Sequence, residues 1–400
     1  MVAIGDYVSV NVLIVAFFTA LFSSSIDQYP TPISPAPRAP QFELRTVAQE
    51  ARYAASQSAL ALFSPSSPVF AHVHALFPET ATAAPQALAQ SADGRAFVGL
   101  ADGRVAWFYA DDRELKLHEF ARTGRALPEC GRADATRETS WRCGRVVGLA
   151  FAPARFLSRY VTRIPQAELF ADEQVLLAAD AFRGVYLLDA RGRKTVLFNS
   201  VDKSSTLRFV SALAVSARGD VFVTRSSRKF AREQLVLAFL EAAEADGQVL
   251  HFSPRTGEVA VLADGLAFPN GLALVDNDSA LLVALTAQHK VVKFTFTTGT
   301  LADFAFAPGE PSGLSLGSVG GKDLLFVGLF APASTFDDFV MRSVKVRRVL
   351  SLLPEWVTLR YLKLRSVFAT VDLASGDVLQ VYEEKLGAAP WISSVHQLGG

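Results

Sequence analysis

Residues 263–286 read ADGLAFPNGLALVDNDSALLVALT. Two runs of small and aliphatic residues, 272–275 and 280–286, flank an Asp-Asn-Asp-Ser turn at 276–279. Such a pattern predicts a β-hairpin. The same unit returns along the chain. ADGRAFVGLADGRVAWFYA at 92–110 is strand, tight turn, strand, and DEQVLLAADAFRGVYLLDARGRKTVLF at 172–198 repeats it. DGQVLHFSPRTGEVAVLADG at 246–265 and SVFATVDLASGDVLQVYEE at 366–384 do so again. Short β-rich runs that recur at intervals of tens of residues, separated by Gly, Asp and Asn turns, are the mark of propeller blades. Five units are visible, and the N-terminal part together with WISSVHQLGG at 391–400 supplies material for a sixth. The expectation is an all-β, six-bladed β-propeller over residues 85–400 with helical insertions, its last blade cut short at the C-terminus.

Two segments depart from the strand pattern. FAREQLVLAFLEAAEADG at 230–247 has helical spacing and helix formers. Residues 341–368 are longer and basic, with seven Lys and Arg against the single Glu355, interleaved with Leu, Val, Trp356 and Tyr361. Such a stretch either packs on the propeller with a solvated basic face or lies on an anionic membrane surface.

Composition narrows the function. Lys plus Arg and Asp plus Glu number 39 each, so no net charge draws this chain to nucleic acid. Residues 8–22, VSVNVLIVAFFTALF, are apolar and shorter than a comfortable membrane span. Residues 1–25 therefore read as a signal peptide or a signal anchor, and both readings stand. Residues 26–84 form a lead-in that opens on a Pro-rich stem, YPTPISPAPRAP. The implied setting is the secretory pathway, either as a secreted protein or as a single-pass protein of an endomembrane or the cell surface. In that compartment the two cysteines, Cys130 and Cys143, are predicted to pair. Asn277 heads the one Asn-x-Ser/Thr sequon, on the hairpin turn, and is a glycosylation candidate.

One apparent catalytic motif does not survive its context. Gly313-Leu314-Ser315-Leu316-Gly317 spells a nucleophile elbow, but another strand, KDLLFVGL, follows where that elbow needs a helix. It reads instead as a Gly/Ser turn between strands.

LADGLAFPNGLALV at 262–275, CGRVVGLAF at 143–151, LLAADAFRGVYLLD at 176–189 and ADGQVLHFSPRTGEVAVL at 245–262 resemble the strictosidine-synthase-like propellers. The adipocyte plasma membrane-associated proteins are the most similar subgroup; paraoxonases and gluconolactonases are more distant. The resemblance implies a central calcium, held by oxygen ligands from several blades, and a hydrolase or synthase-like enzyme. Asn270 matches the asparagine ligand of that family and is the metal candidate. The other matching positions have changed: Gln86 stands for a glutamate, Ser211 for an asparagine, Ser312 with Gly313 for an Asp-Asn pair, and Arg225 for an aspartate. Gln397 stands where strictosidine synthase itself has a working glutamate. Neutral oxygens bind calcium weakly, and a nearby guanidinium weakens them further. Two functions therefore stay open. One is an ester or lactone hydrolase of the family type, with calcium if the site survives. The other is a non-catalytic propeller, without a cofactor, that binds a small apolar or carbonyl-bearing ligand or a protein partner at an endomembrane or cell surface.

Overall fold

The computed structural model describes residues 45–46, 85–109, 117–131, 137–202, 206–242, 245–333, 339–340, 343–353, 366–384 and 394–397. β1 (Arg45–Thr46) is a short N-terminal strand. Blade one is β2 (Pro85–Gln90), β3 (Arg95–Leu100), β4 (Arg104–Tyr109) and β5 (His118–Arg122). A helix, α1 (Arg137–Cys143), leads to blade two: β6 (Val146–Pro153), β7 (Gln174–Asp180), β8 (Gly184–Leu188) and β9 (Lys194–Phe198), with the short α2 (Ser158–Val161) between its first two strands. Blade three is β10 (Val210–Val215), β11 (Val221–Arg225), β12 (Gly247–Ser253) and β13 (Glu258–Leu266), with α3 (Leu235–Leu240) inserted after β11. Blade four is β14 (Pro269–Val275), β15 (Ala280–Leu285), β16 (Lys290–Thr295) and β17 (Thr300–Phe306). Blade five is β18 (Gly309–Val319), β19 (Lys322–Pro332), β20 (Ser366–Asp372) and β21 (Val378–Glu384), interrupted by α4 (Val344–Leu352).

The propeller has five blades among the described residues, not the six expected. The two segments assigned to a sixth blade attach to blade five instead. β1 pairs in parallel with the outer strand, Arg45 opposite Tyr382 and Thr46 opposite Glu383. Near the C-terminus, Val395 accepts a hydrogen bond from the Ser315 hydroxyl on β18 and packs with Phe326, Phe368 and Tyr382. The Gly313–Gly317 motif lies within β18, so Ser315 is a strand residue rather than part of a turn.

Burial on both faces explains the unbroken apolar runs. In β7, Val175, Leu177 and Ala179 enter the core between blades two and three, while Leu176 and Ala178 enter the core between blades one and two. In β15, Ala280, Leu282 and Ala284 face blade five, and Leu281, Val283 and Leu285 face blade three. A strand covered on one side alternates apolar with polar; a strand covered on both sides cannot. Aromatic edges finish the packing, with Phe97 set edge-on to Phe120, Phe151 and Phe170 between the first two blades.

The innermost strands pack in chain order, β2 on β6, β6 on β10, β10 on β14 and β14 on β18. Where β14 meets β18 the backbones almost touch. A Cβ on Gly271 would fall against Ser312 O and 2.6 Å from Leu314 N. This answers part of why Gly follows Asn270: the position admits no side chain.

The helical insertions sit together on the propeller. α3 and α4 pack through Val236, Leu240, Val346 and Leu350. Ser343 caps α4, its hydroxyl accepting from Val346 N at 3.4 Å. Arg347 is buried to 1% exposure in this contact; burial pulls its guanidinium below the usual range and the nearby Glu241 opposes that. Residues 341–342 and 354–365, most of the signal or anchor and stem segment, and the closing residues 398–400 lie outside the described residues. No described helix is long and apolar enough to cross a membrane.

Gly271→Ala is expected to lower stability by about 1–3 kcal/mol, the range for forcing extra volume into a close contact. Urea unfolding followed by tryptophan fluorescence measures it; an unchanged midpoint would mean that β14 and β18 are not in register as described.

Candidate functional site

The inner strands share one irregularity. Each begins with a β-bulge near its first residues: at Gln86 in β2, Val147 in β6, Ser211 in β10, Asn270–Gly271 in β14 and Ser312–Gly313 in β18. A further irregularity lies opposite Glu310, where β19 carries the extra residue. A bulge releases a residue from the ladder and re-aims its side chain. Pro269 opposite Leu285 and Leu272 opposite Val283 repeat in β18 as Pro311 opposite Leu329 and Leu314 opposite Val327. By this register Asn270 and Ser312 are counterparts, and the five bulges put one residue per blade at one end of the inner wall. Four of the five places coincide with positions picked from the sequence. Val147 is the fifth, and it is apolar.

A hydroxyl network ties blades three, four and five together. The Ser211 and Ser226 hydroxyls are 2.5 Å apart, and Ser226 donates to Pro269 O at 2.8 Å. Thr224 donates to Asn270 O at 2.7 Å. The Asn270 amide nitrogen donates to Thr286 Oγ1 at 3.4 Å and to Ser312 Oγ at 3.3 Å. Thr286 in turn donates to Pro311 O at 2.7 Å. Thr224, Ser226 and Thr286 each give a hydroxyl from one blade to a backbone carbonyl beside a bulge in the next. The Asn270 question thus has a structural answer: its amide bridges blade four to blade five.

Blades one and two are joined differently. Asp180, fully buried at the end of β7, accepts from the Thr123 hydroxyl at 2.5 Å, Arg145 N at 3.0 Å and Phe182 N at 2.9 Å. Burial pushes its carboxyl above the ordinary carboxylate range, and these donors pull the other way. Gly144 has φ +83°, and a Cβ there would strike Asp180 Oδ2 and Thr123 Oγ1. One residue earlier, Cys143 is bonded to Cys130, with their Cα atoms 5.6 Å apart, as predicted. Arg145 is therefore held by its backbone, and its Nη1 donates to Gln86 Oε1 at 3.2 Å.

The remaining candidates lie outside this ring of contacts. Arg225 pairs with Val210 as Asp180 pairs with Val146, so the two are register counterparts. Both turn toward the chain that precedes their own blade, and Arg225 Nη2 donates to Thr206 O at 3.4 Å. The guanidinium that meets a bulge residue is that of Arg145. Gln397 is committed to β18: Ser318 N donates to its Oε1 at 2.8 Å and its Nε2 donates to Ser318 O at 3.0 Å. Asn277 is exposed on the β14–β15 turn at φ +52°.

Two residues were missed from the sequence. Arg145 was visible in CGRVVGLAF but has no chemical signature of its own. Glu310 is fully buried, two residues before Ser312, and is the one carboxylate of the five inner strands. Among the described residues no three His, Cys, Asp or Glu side chains gather as a metal site. The bulge residues do not fit the calcium of the family: one is apolar, the others are neutral, and an arginine stands beside Gln86. Calcium takes six to eight oxygens, normally with carboxylates among them.

The described strands form a five-bladed β-propeller whose inner strands are bulged near their first residues. Residues 211–299 match the strictosidine synthase family model. It is 27% identical over 367 residues to protein strictosidine synthase-like 10 of Arabidopsis thaliana, covering 86% of this chain and 89% of that one. It is 27% identical over 317 residues to the adipocyte plasma membrane-associated protein of Gallus gallus, covering 76% and 68%. Among solved structures it is similar to a gluconolactonase from Xanthomonas campestris, at 14% identity and TM-score 0.46 over 76% of this chain and 77% of that one. It is also similar to regucalcin, a calcium-binding protein from Agrobacterium tumefaciens, at 12% identity and TM-score 0.44 over 75% and 74%.

Burial pushes His396 down to about 4. An unfolded chain takes up this proton below about 6.5. Between those values the unfolded state binds more protons, so stability falls as pH drops from about 6.5 to about 4. His396→Gln is expected to flatten part of that slope in urea midpoints taken across the range; an identical slope in the variant would place His396 in solvent.

Proposed function

We propose that this protein is a strictosidine synthase-like propeller that binds a small carbonyl-bearing ligand at the bulge end of its channel, through neutral hydrogen-bonding groups and without calcium. The observation that carries this reading is the Asn270–Thr286–Ser312 contact. The amide nitrogen is engaged by two hydroxyls, at 3.4 and 3.3 Å, so the bulge residues form a preorganised polar cluster in an apolar wall. A few convergent polar groups in such surroundings are what a small-molecule site requires. The neutral donor set supports ligand binding over a metal-dependent hydrolase. The Cys130–Cys143 bond supports an oxidising, secretory setting. The contact between α3 and α4, with Arg347 inside it, favours packing on the propeller over membrane contact for that part of the basic excursion.

The test uses phenylacetamide as a neutral carbonyl ligand, with calorimetry on the full chain. Saturable binding is expected, weakened about tenfold in Asn270→Ala, the scale of one lost hydrogen bond. Melting curves in millimolar calcium and in chelator should coincide, whereas a true site filled to 100 times its Kd would add about 2.7 kcal/mol. A calcium-dependent rise in the midpoint, with calcium-dependent hydrolysis of phenyl acetate, would overturn this reading and restore the metallohydrolase.

A further inference from the structure

The second arginine of CGRVVGLAFAPAR is remote from the channel; the first, Arg145, is not, and it has no structural role for its side chain that matches the effort spent on holding it. Four constraints converge on this residue. The Cys130–Cys143 bond anchors the chain two residues before it. Gly144 passes Asp180 and Thr123 at a distance that excludes any side chain. Arg145 N donates to Asp180 Oδ2 at 3.0 Å, and Arg145 O accepts from Ala181 N at 2.9 Å. Backbone position and direction are therefore set without the guanidinium. The guanidinium itself reaches across to the bulge residue of blade one, Gln86, with a single contact of 3.2 Å to a neutral oxygen.

A guanidinium carries five N–H donors in a planar fork and cannot lose its charge in a protein. Moving such a group out of water is costly unless its donors are met. Arg145 is half-buried; desolvation pulls its guanidinium below the usual range, and Asp180 and Asp102 oppose that only through space. Asp180 spends its oxygens on Thr123 and two backbone N–H groups, and Asp102 is paired with Arg104 at 2.7 Å. Neither forms a salt bridge with Arg145.

We propose that Arg145, with Gln86 beside it, is the recognition site for a carboxylate on the channel ligand. The fork of the guanidinium matches the two oxygens of a carboxylate, and Gln86 Nε2 adds a neutral donor at the same place. A single negative charge suits the site better than a phosphate dianion, because Asp180 and Asp102 lie close by. The proposal rests on the channel reading above and deepens it: the ligand is an organic acid that carries a carbonyl group for the Asn270 side and a carboxylate for the blade-one side.

The experiment compares phenylacetate with phenylacetamide, which share a ring and a carbonyl and differ in charge. Calorimetry at neutral pH on the full chain is expected to give at least about tenfold tighter binding of phenylacetate. Arg145→Gln should abolish that preference while leaving phenylacetamide binding unchanged. Arg145→Lys should keep part of it, since charge remains but the fork is lost. The melting midpoint of Arg145→Gln should stay near wild type, because the contacts that position the residue belong to its backbone. Equal affinity for the two compounds, or a preference that survives in Arg145→Gln, overturns the carboxylate site while leaving the Asn270 reading intact. Binding of phenylacetate that depends on Arg145, with no sensitivity to Asn270→Ala, upholds this site and removes the other. Tighter binding of inorganic phosphate than of phenylacetate overturns the assignment to a carboxylate.

Discussion

Blades two, three and four of this propeller are covered on both faces by their neighbours, and that requirement shapes the rest of the molecule. β7 divides its side chains between two cores, with Val175, Leu177 and Ala179 on one side and Leu176 and Ala178 on the other. β15 does the same with six consecutive buried residues. A strand buried in this way has no free face on which to carry a functional group. The apolar area removed from water is large, at roughly 25 cal/mol per Å², so a polar group placed in the middle of such a strand would be expensive.

The bulges resolve that conflict. They release one residue per inner strand at the point where the wall of the channel begins, and they leave backbone carbonyls without ladder partners. Thr224, Ser226 and Thr286 supply hydroxyls to the carbonyls of Asn270, Pro269 and Pro311. The same groups that aim a side chain inward are thus bonded to the next blade. The bulged positions and the cohesion between blades three, four and five share one set of contacts.

The two halves of the wall use different chemistry for the same task. Between blades three, four and five the ties are neutral hydroxyls and an amide. Between blades one and two they run through the carboxyl of the buried Asp180, which accepts from a hydroxyl and backbone N–H groups. Asp180 and Arg225 hold equivalent register places at the ends of β7 and β11, and both bond to the preceding segment. The two equivalent places carry opposite charge, and the guanidinium that bonds to a bulge residue is that of Arg145.

The fold class was legible because double-sided burial leaves a direct trace: apolar runs of five to seven residues, cut by Gly, Asp and Asn turns, repeated along the chain. The Cys130–Cys143 pairing and the hairpin of 272–285 were legible for similarly local reasons. Blade number was not, because a segment such as 391–400 carries no mark that says which sheet edge it joins; only packing against Phe326, Phe368 and Tyr382 decides that. Four of the five bulge residues, Gln86, Ser211, Asn270 and Ser312, were picked by resemblance. Val147, Glu310 and the reach of Arg145 to Gln86 could not be. They depend on strand register and on contacts between residues 59 positions apart, and sequence alone determines neither, because a shift of one residue reverses the face that every side chain of a strand presents.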